Sequence, residues 1–352
     1  MSVREAVLLV GGEGTRLRPL TLTTPKPMLP VAGTPITVHQ ITRARDAGVQ
    51  RIVLGTSYRA DVFADHLADG RDLGVDIVYA HETTPLGTGG AIRNAANYLT
   101  SGPGDPVLIL NGDVLSGVDM AELVDGHVAA DAAVTLHLTR VADPRRYGLV
   151  PTDDLGRVRQ FLEKPQSDEQ IVTDQINAGC YVFRRDVIDG IAADQVVSVE
   201  REVFPALLHS GALVRGVVDD AYWLDLGTPW DFLQGSTDLV RGIAPWIGHQ
   251  PRDFLILDGA QVAGDAHLDG GSTIGPNVRI DAGARVSGSV VFADAVLEHQ
   301  AQVIDSVIGA GVIIGAGARV CGAVLGDGVV VPPGTDIGDG ERIDPHTILP
   351  CS

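Results

Sequence analysis

From residue 256 onward an apolar residue recurs at every sixth position: Ile256, Val262, Leu268, Ile274, Ile280 and Val286. Few folds accept that period. A helix repeats its apolar face at intervals of three and four, and a half-buried strand alternates with period two. A six-residue spacing suits a chain wound into short strands, each pointing one aliphatic side chain inward while glycine and asparagine turn the corners. The intervening residues are of that kind, as in LDGGST and IGPNVR. The phase slips after Val286 and resumes at Ile308, Ile314 and Val320, then again at Val331 and Ile337. The expectation is a left-handed parallel β-helix of hexapeptide repeats over 256–352, with a glycine-rich β-sandwich as the alternative. Its length allows roughly four or five triangular turns.

Upstream the texture is different. Apolar runs at Glu5–Val10, Arg51–Gly55, Val75–Ala80, Val107–Leu110 and Ala132–Leu138 read as strands. Helix-like stretches fall between the early ones, at Thr37–Ala47, Arg59–Leu67 and Ala91–Leu99. Such alternation predicts an α/β domain over 1–240, a Rossmann-like, mixed but mostly parallel sheet covered on both faces. Ligands of these sheets sit at the carboxyl ends of the strands. The segment RGIAPWIGHQPRDF, with two prolines, reads as a linker over 241–255.

Composition narrows the function. A formal charge of −19 argues against a nucleic-acid or anionic-membrane partner, both of which need a basic footprint. The cysteines Cys180, Cys321 and Cys351 are too scattered for a disulfide framework or a zinc site. No apolar run approaches the ~20 residues of a membrane span. The apolar stretch Ala6–Val10 is too short for a secretion signal. A protein of the cytoplasm is expected.

The first strand runs into VGGEGTRLRP, residues 10–19. A dinucleotide fingerprint would require glycine where Leu17 stands, and a Walker loop would end at Leu17-Arg18-Pro19, so both patterns fail. A plain turn with surface arginines remains the bland alternative. Glycines nevertheless let a backbone approach a ligand, and consecutive N–H groups make an anion nest. Arg16 offers a planar fork for phosphate oxygens. In TPKPM, Lys26 is a point charge held between two prolines. An arginine and a lysine on one restrained loop suit a polyphosphate, so the loop is predicted to hold a triphosphate.

Two carboxylates stand out further along. LILNGDVL is a strand running into Asn111-Gly112-Asp113, and YWLDLGTPWDF places Asp225 before a Gly-Thr-Pro turn and a helix. Strand-end carboxylates suit Mg²⁺, which takes one or two of them plus phosphate oxygens. Read alone, the first is equally a common turn and the second a helix-capping turn.

LVGGEGTRLRPLT followed by TPKPM resembles the signature loop of the sugar-nucleotide pyrophosphorylases, a nucleotidyltransferase family, and the resemblance covers almost the whole chain. It implies nucleotide contacts at Val10, Gly11, Gly12, Glu13, Gly14 and Thr15, with Arg16 supporting the leaving pyrophosphate and Lys26 neutralising the α-phosphate. PLGTGGAI matches the segment lining base and ribose, which implies Leu86, Gly87, Thr88 and Gly89. FLEKP matches the sugar-phosphate segment, with Lys164 on the phosphate and Glu163 on sugar hydroxyls. RYGLV and INAGCYVF imply sugar contacts at Gly148, Asn177 and Gly179. Asp113 and Asp225 match the family's metal pair.

The segments resemble most the mannose-1-phosphate guanylyltransferase branch, SVEREVFP (198–205) among them, which implies GTP and mannose 1-phosphate as substrates. Relatives using dTTP, UTP or ATP with glucose 1-phosphate share the same motifs. Two other functions stay open: a nucleotide-sugar-sensing regulatory subunit without catalysis, and a second, acyltransferase activity in the β-helix using His267, His299 or His346. The open end and flat faces of a β-helix predict a homo-oligomer.

Overall fold

The computed structural model describes residues 3–56, 60–246 and 248–350. Arg59, where a helix was expected to begin, Ile247 of the expected linker and Cys351 lie outside the described residues. The chain divides into two compact units: Met1–Gly11 with Gln40–Trp223, and Gly12–His39 with Leu224–Ser352.

The first unit is built on a nine-stranded mixed sheet. Its strands are β1 (Glu5–Leu9), β2 (Arg51–Thr56), β3 (Asp76–His81), β4 (Pro106–Asn111), β5 (Val134–Arg140), β6 (Gly148–Leu149), β7 (Leu162–Glu163), β8 (Gln175–Arg184) and β9 (Val214–Val218). Their order is β7-β6-β8-β4-β1-β2-β3, with β5 also paired to β8 and β9 to β5. β4, β1, β2 and β3 run parallel, and β8 lies antiparallel to β4 and β5. The five expected strands are all present within a residue or two. β1 and β4 read as unbroken apolar runs because both of their faces are covered, with Ala6, Val7, Leu8, Val107, Leu108 and Ile109 fully buried. Tyr181, Phe183 and Phe204 pack with ring centroids 5.6–6.2 Å apart and anchor one side of the core.

The helices follow the expected segments with shifted ends. They span Ile36–Asp46, Ala60–Leu67 and Gly87–Ala95, the last followed by a short 3₁₀ turn at Ala96–Tyr98. The third therefore begins four residues earlier than the apolar pattern suggested, on the glycines of PLGTGG.

The second unit carries three parallel sheets of six, five and five short strands, consistent with a left-handed β-helix. Ile274, Ile280, Val286, Val291, Leu297, Val303, Ile308, Ile314, Val320, Leu325 and Val331 line its interior. The phase slip has a structural cause. Ile256, Val262 and Leu268 stack on Ile274, Ile280 and Val286, eighteen positions on. Those three in turn stack on Val291, Leu297 and Val303, seventeen positions on. The first corner spends two left-handed glycines, Gly270 and Gly271, where later corners use one left-handed residue, at Gly288, Asp305 and Gly322. A buried serine ladder follows the shorter repeat: Ser272 Oγ accepts from the Ser289 N–H, Ser289 Oγ from Ser306, and Ser306 Oγ from Ala323.

One expectation fails at the end of the coil. Ile256, the first member of the period, is 41% exposed. It stacks on Ile274 from one side only, since no coil lies beyond it.

Within the same unit the helix Pro229–Arg241 packs on the first corners of the β-helix. Phe232 meets Phe292 edge to face at 6.0 Å, and a side chain at Gly271 would strike Thr237 at 3.0 Å. The segment 12–39 joins this unit by the bond from the Ala32 N–H to Ser236 Oγ (2.9 Å) and by Leu257, which fills the space beside Gly33. Among the described residues no helix is long and apolar enough to cross a membrane.

Candidate active site

In the second unit the signature loop is held tightly at its middle. Gly14 has φ +60° and closes the turn Thr15–Leu17, its carbonyl accepting from the Leu17 N–H and from Thr21 Oγ1 at 2.9 Å each. A Cβ there would lie 2.8 Å from Lys26 Cβ, so glycine is required by both φ and space. Gly12 (φ +121°) also needs glycine's freedom, but its side is open. Gly11, Gly12, Glu13, Thr15 and Arg16 are exposed.

Lys26 is the opposite: 7% exposed, in a 3₁₀ turn whose next residue is Pro27. Its Nζ lies 3.7 Å from Asp225 Oδ1, and Arg16 Nη2 lies 3.9 Å from Asp225 Oδ2. The Arg16 guanidinium covers Gly227, where a Cβ would come within 3.0 Å of both of its terminal nitrogens. Asp225 ends the strand Trp223–Asp225. Thr228 and Asp231 then form a capping box that starts the helix Pro229–Arg241, so the turn after Asp225 is fixed by the helix that follows. The capping reading of this segment and its placement of Asp225 are both realised. Three of the sequence-selected residues, Arg16, Lys26 and Asp225, thus meet in one cluster.

In the first unit the carboxyl ends of β1 and β4 lie side by side, with Leu9 opposite Asn111. The Gly112 N–H donates to the Leu9 carbonyl at 2.9 Å, and a Cβ at Gly112 would sit 2.7 Å from that oxygen. Asp113 follows directly after Gly112, half-buried at the carboxyl ends of these strands, where a ligand is expected.

The sugar-side residues fall into two groups. Gly148 pairs with Glu163 across β6 and β7, and a Cβ at Gly148 would lie 2.8 Å from Glu163 Oε2. Lys164 follows in a left-handed conformation (φ +48°), its N–H donating to the Tyr147 carbonyl and its Nζ 3.6 Å from Glu163. The second group sits on the bulge of β8 between Asn177 and Tyr181. Asn177 Nδ2 donates to Tyr181 Oη at 2.8 Å, while Oδ1 accepts from the Gly179 N–H. Gly179 (φ +76°) lies against Asn111, whose Nδ2 a Cβ would approach to 2.8 Å. Burial pushes the Tyr181 phenol far up, so the hydroxyl stays protonated.

The PLGTGG segment shows what sequence reading missed. At Gly87, Gly89 and Gly90 the space of a side chain is filled by the chain itself, with Val197 O 2.6 Å from a Cβ at Gly87 and Gln195 O 2.5 Å from one at Gly90. The Gly89 N–H donates to Val197 O, and the Val197 N–H to Leu86 O. Thr88 Oγ1 donates to Glu200 Oε2 and accepts from the Val199 N–H. Glu200 also accepts from Ser198 Oγ. Leu86 is fixed by Glu82, which accepts from its N–H and is raised in pKa chiefly by burial. These glycines have a packing reason, whatever they also offer a nucleotide. Glu200 joins the site only through its contact with Thr88, 112 positions away, while Asn111 and Tyr181 lie within the NGD and INAGCYVF stretches without a role having been expected of them.

The remaining polar groups do not assemble a rival centre. Among the described residues no group of three or more His, Cys, Asp or Glu could hold a metal ion alone. Burial pushes the Cys180 thiol up to about 12, which removes it as a nucleophile. His267 Nε2 is bound to Asp269 at 2.9 Å.

Comparison with known proteins identifies the family. The family model described as nucleotidyl transferase matches residues 5–242, and that of the GMPPB C-terminal domain matches 251–351. The chain is 53% identical to the mannose-1-phosphate guanylyltransferase of Mycobacterium tuberculosis over 82% of this chain and 79% of that one. It is 36% identical to the mannose-1-phosphate guanylyltransferase catalytic subunit beta of Drosophila melanogaster, over 78% of this chain and 72% of that one. The crystal structure of HddC from Yersinia pseudotuberculosis complexed with GMP-PN superposes with a TM-score of 0.57 at 29% identity, covering 67% of this chain and all of that one. Matched by that family model over residues 5–242 and 53% identical to a curated relative over most of its length, the chain belongs to the nucleotidyl transferase family.

Proposed function

We propose that the protein transfers a guanylyl group from GTP to α-D-mannose 1-phosphate, giving GDP-mannose and pyrophosphate. The observation that carries this is the pair of cations Arg16 and Lys26 facing Asp225 at the signature loop, in a chain whose relatives are named for that reaction.

A phosphate oxygen of mannose 1-phosphate attacks the α-phosphorus of GTP in line. The bond from that phosphorus to the oxygen bridging to the β-phosphate breaks, and its electron pair leaves with pyrophosphate. The sugar phosphate is already largely dianionic near neutral pH, its second pKa being about 6, so no general base is required. What the protein must supply is positioning and charge stabilisation. Lys164 holds the attacking phosphate and Glu163 the sugar hydroxyls, with Gly148, Asn177 and Gly179 admitting the ring. Lys26 neutralises the α-phosphate and Arg16 the leaving pyrophosphate. Gly11 to Thr15 wrap the nucleotide, and Leu86 to Gly89 line base and ribose.

Mg²⁺ is proposed as the cofactor. The donors fit it, since Asp113 and Asp225 offer only carboxylate oxygens, the ligands a hard cation prefers, and two of them leave coordination for phosphate oxygens. When bound, the ion supplies charge neutralisation at the reacting phosphates. We further propose a homo-oligomer assembled through the β-helix and residence in the cytoplasm, which the scattered cysteines favour; a strictly monomeric species in light scattering would remove the first.

The test is pyrophosphate release with Mg²⁺ across GTP, dTTP, UTP and ATP against mannose and glucose 1-phosphates. Activity confined to GTP with mannose 1-phosphate is expected. Activity elsewhere in the grid would correct the substrates, and none at all, with nucleotide sugar still bound, would leave a regulatory subunit.

A further inference from the structure

The last coil of the β-helix reaches the signature loop. Arg342 Nη1 donates to the carbonyl of Arg16 at 3.0 Å and to that of Arg18 at 3.3 Å. Its strand, Arg342–Ile343, pairs in parallel with Val324–Leu325. Alternation along that strand turns Ile343 toward the aliphatic core and Arg342 outward. The backbone on either side is tied down, with the Glu341 carbonyl accepting from Val324 and the Ile343 carbonyl from Gly326. The guanidinium therefore projects from a rigid stem.

We propose that Arg342 is a positioning residue for triphosphate and pyrophosphate. Two carbonyls bracketing Leu17 are pinned by one charged donor, and the first belongs to Arg16 itself, whose side chain faces Asp225. Hydrogen bonds from a charged group to carbonyls are among the stronger ones. By fixing the carbonyls of Arg16 and Arg18, Arg342 sets the direction in which Arg16 leaves the backbone. The β-helix thereby takes part in shaping the phosphate end of the site. This inference rests on the guanylyltransferase reading and names a residue 326 positions from the loop it serves.

The experiment uses the full chain carrying Arg342→Met, which keeps the stem without the donors, Arg342→Lys, which keeps the charge, and Arg319→Ala, which alters an arginine on another face of the β-helix. Forward and reverse kinetics are measured for each. Arg342→Met is expected to raise the KM for GTP and for pyrophosphate about tenfold, the size lost with one hydrogen bond to a charged donor, while the KM for mannose 1-phosphate stays within about twofold. Arg342→Lys should recover part of the loss, and Arg319→Ala should match the parent. Unchanged constants in Arg342→Met would overturn the proposal, as would a parallel rise in every KM. Should Arg342→Met fail to fold, Arg342→Lys decides alone: a raised GTP KM with an unmoved sugar-phosphate KM supports the proposal, and parent values refute it. If the parent enzyme is inactive on this substrate pair, the functional reading fails by itself. The loop is then probed by calorimetric binding of whichever triphosphate the parent binds, with weakening in Arg342→Met as support and equal affinity as refutation.

Discussion

Asp225 stands between Lys26 and Arg16, with its Oδ1 3.7 Å from the buried ammonium of Lys26. At that separation the contact is Coulombic rather than a direct hydrogen bond, and it gives the buried ammonium an opposite charge to face. Asp225→Asn and Asp113→Asn are each expected to cut turnover by at least about a hundredfold, the scale of one lost transition-state contact. The melting temperature should move by only a few degrees in Asp113→Asn and fall further in Asp225→Asn, which leaves the buried Lys26 ammonium facing a neutral amide. Pyrophosphate release and a thermal melt check both halves, and native turnover in Asp113→Asn would sink the metal assignment.

Glycine serves two different needs in the signature loop. Gly12→Ala meets only the backbone cost of a positive φ, about 1–2 kcal/mol. Gly14→Ala meets that cost and also the Cβ of Lys26 at 2.8 Å and the Cγ2 of Thr21 at 3.0 Å. Neither neighbour is the far end of a flexible chain. Gly14→Ala should therefore lose more stability than Gly12→Ala, by about a further 1–3 kcal/mol, and raise the KM for GTP further. Denaturation midpoints and steady-state kinetics of the two variants provide the comparison, and equal effects would contradict it.

The serine ladder makes a prediction confined to the β-helix. Ser289 is fully buried, and its hydroxyl accepts from the Ser306 N–H while donating to the Ser287 carbonyl. Ser289→Ala leaves a buried N–H without that acceptor and is expected to cost about 1–3 kcal/mol. Amide exchange should quicken at Ser306 with catalysis unchanged. Native protection at Ser306 would show that the ladder bond contributes nothing.

His127 links stability to pH. Burial, reinforced by the positive charges of Arg184 and Arg215, lowers its pKa from 6.5 to about 4. The folded state thus resists a proton that the unfolded chain accepts at the ordinary value. The stability from the neutral ring is fully present above pH 6.5 and is lost as pH falls through about 4, amounting to about 2–3 kcal/mol. Urea midpoints measured between pH 7.5 and 4 should decline, and the His127 ring resonances should show no titration near 6.5. A midpoint independent of pH in that window would refute the assignment.

Much of this was legible in the residues because the information was local. The apolar runs of β1 and β4 revealed strands of a sheet covered on both faces. Asp225 and Thr228 lie three residues apart, so a strand end followed by a cap could be read in order. The PLGTGG glycines were harder. The family resemblance implied a ligand beside them, whereas the room at Gly87, Gly89 and Gly90 is taken by residues 195–197. Nothing within a short window reports that a segment far along the chain will lie against them.

Strand–helix alternation, the coiled repeat and the glycines and charges of the signature loop are legible from the residues alone, because periodicity, glycine placement and charge act within a few residues. The shortening of the coil from eighteen residues to seventeen after one two-glycine corner emerges only in the three-dimensional fold. That fold alone joined Gly12–His39 to the β-helix unit and brought Arg342 to the carbonyls of Arg16 and Arg18. Those contacts depend on how rigid elements pack after they form, and a side chain 326 residues away leaves no mark on the local pattern of the loop it holds.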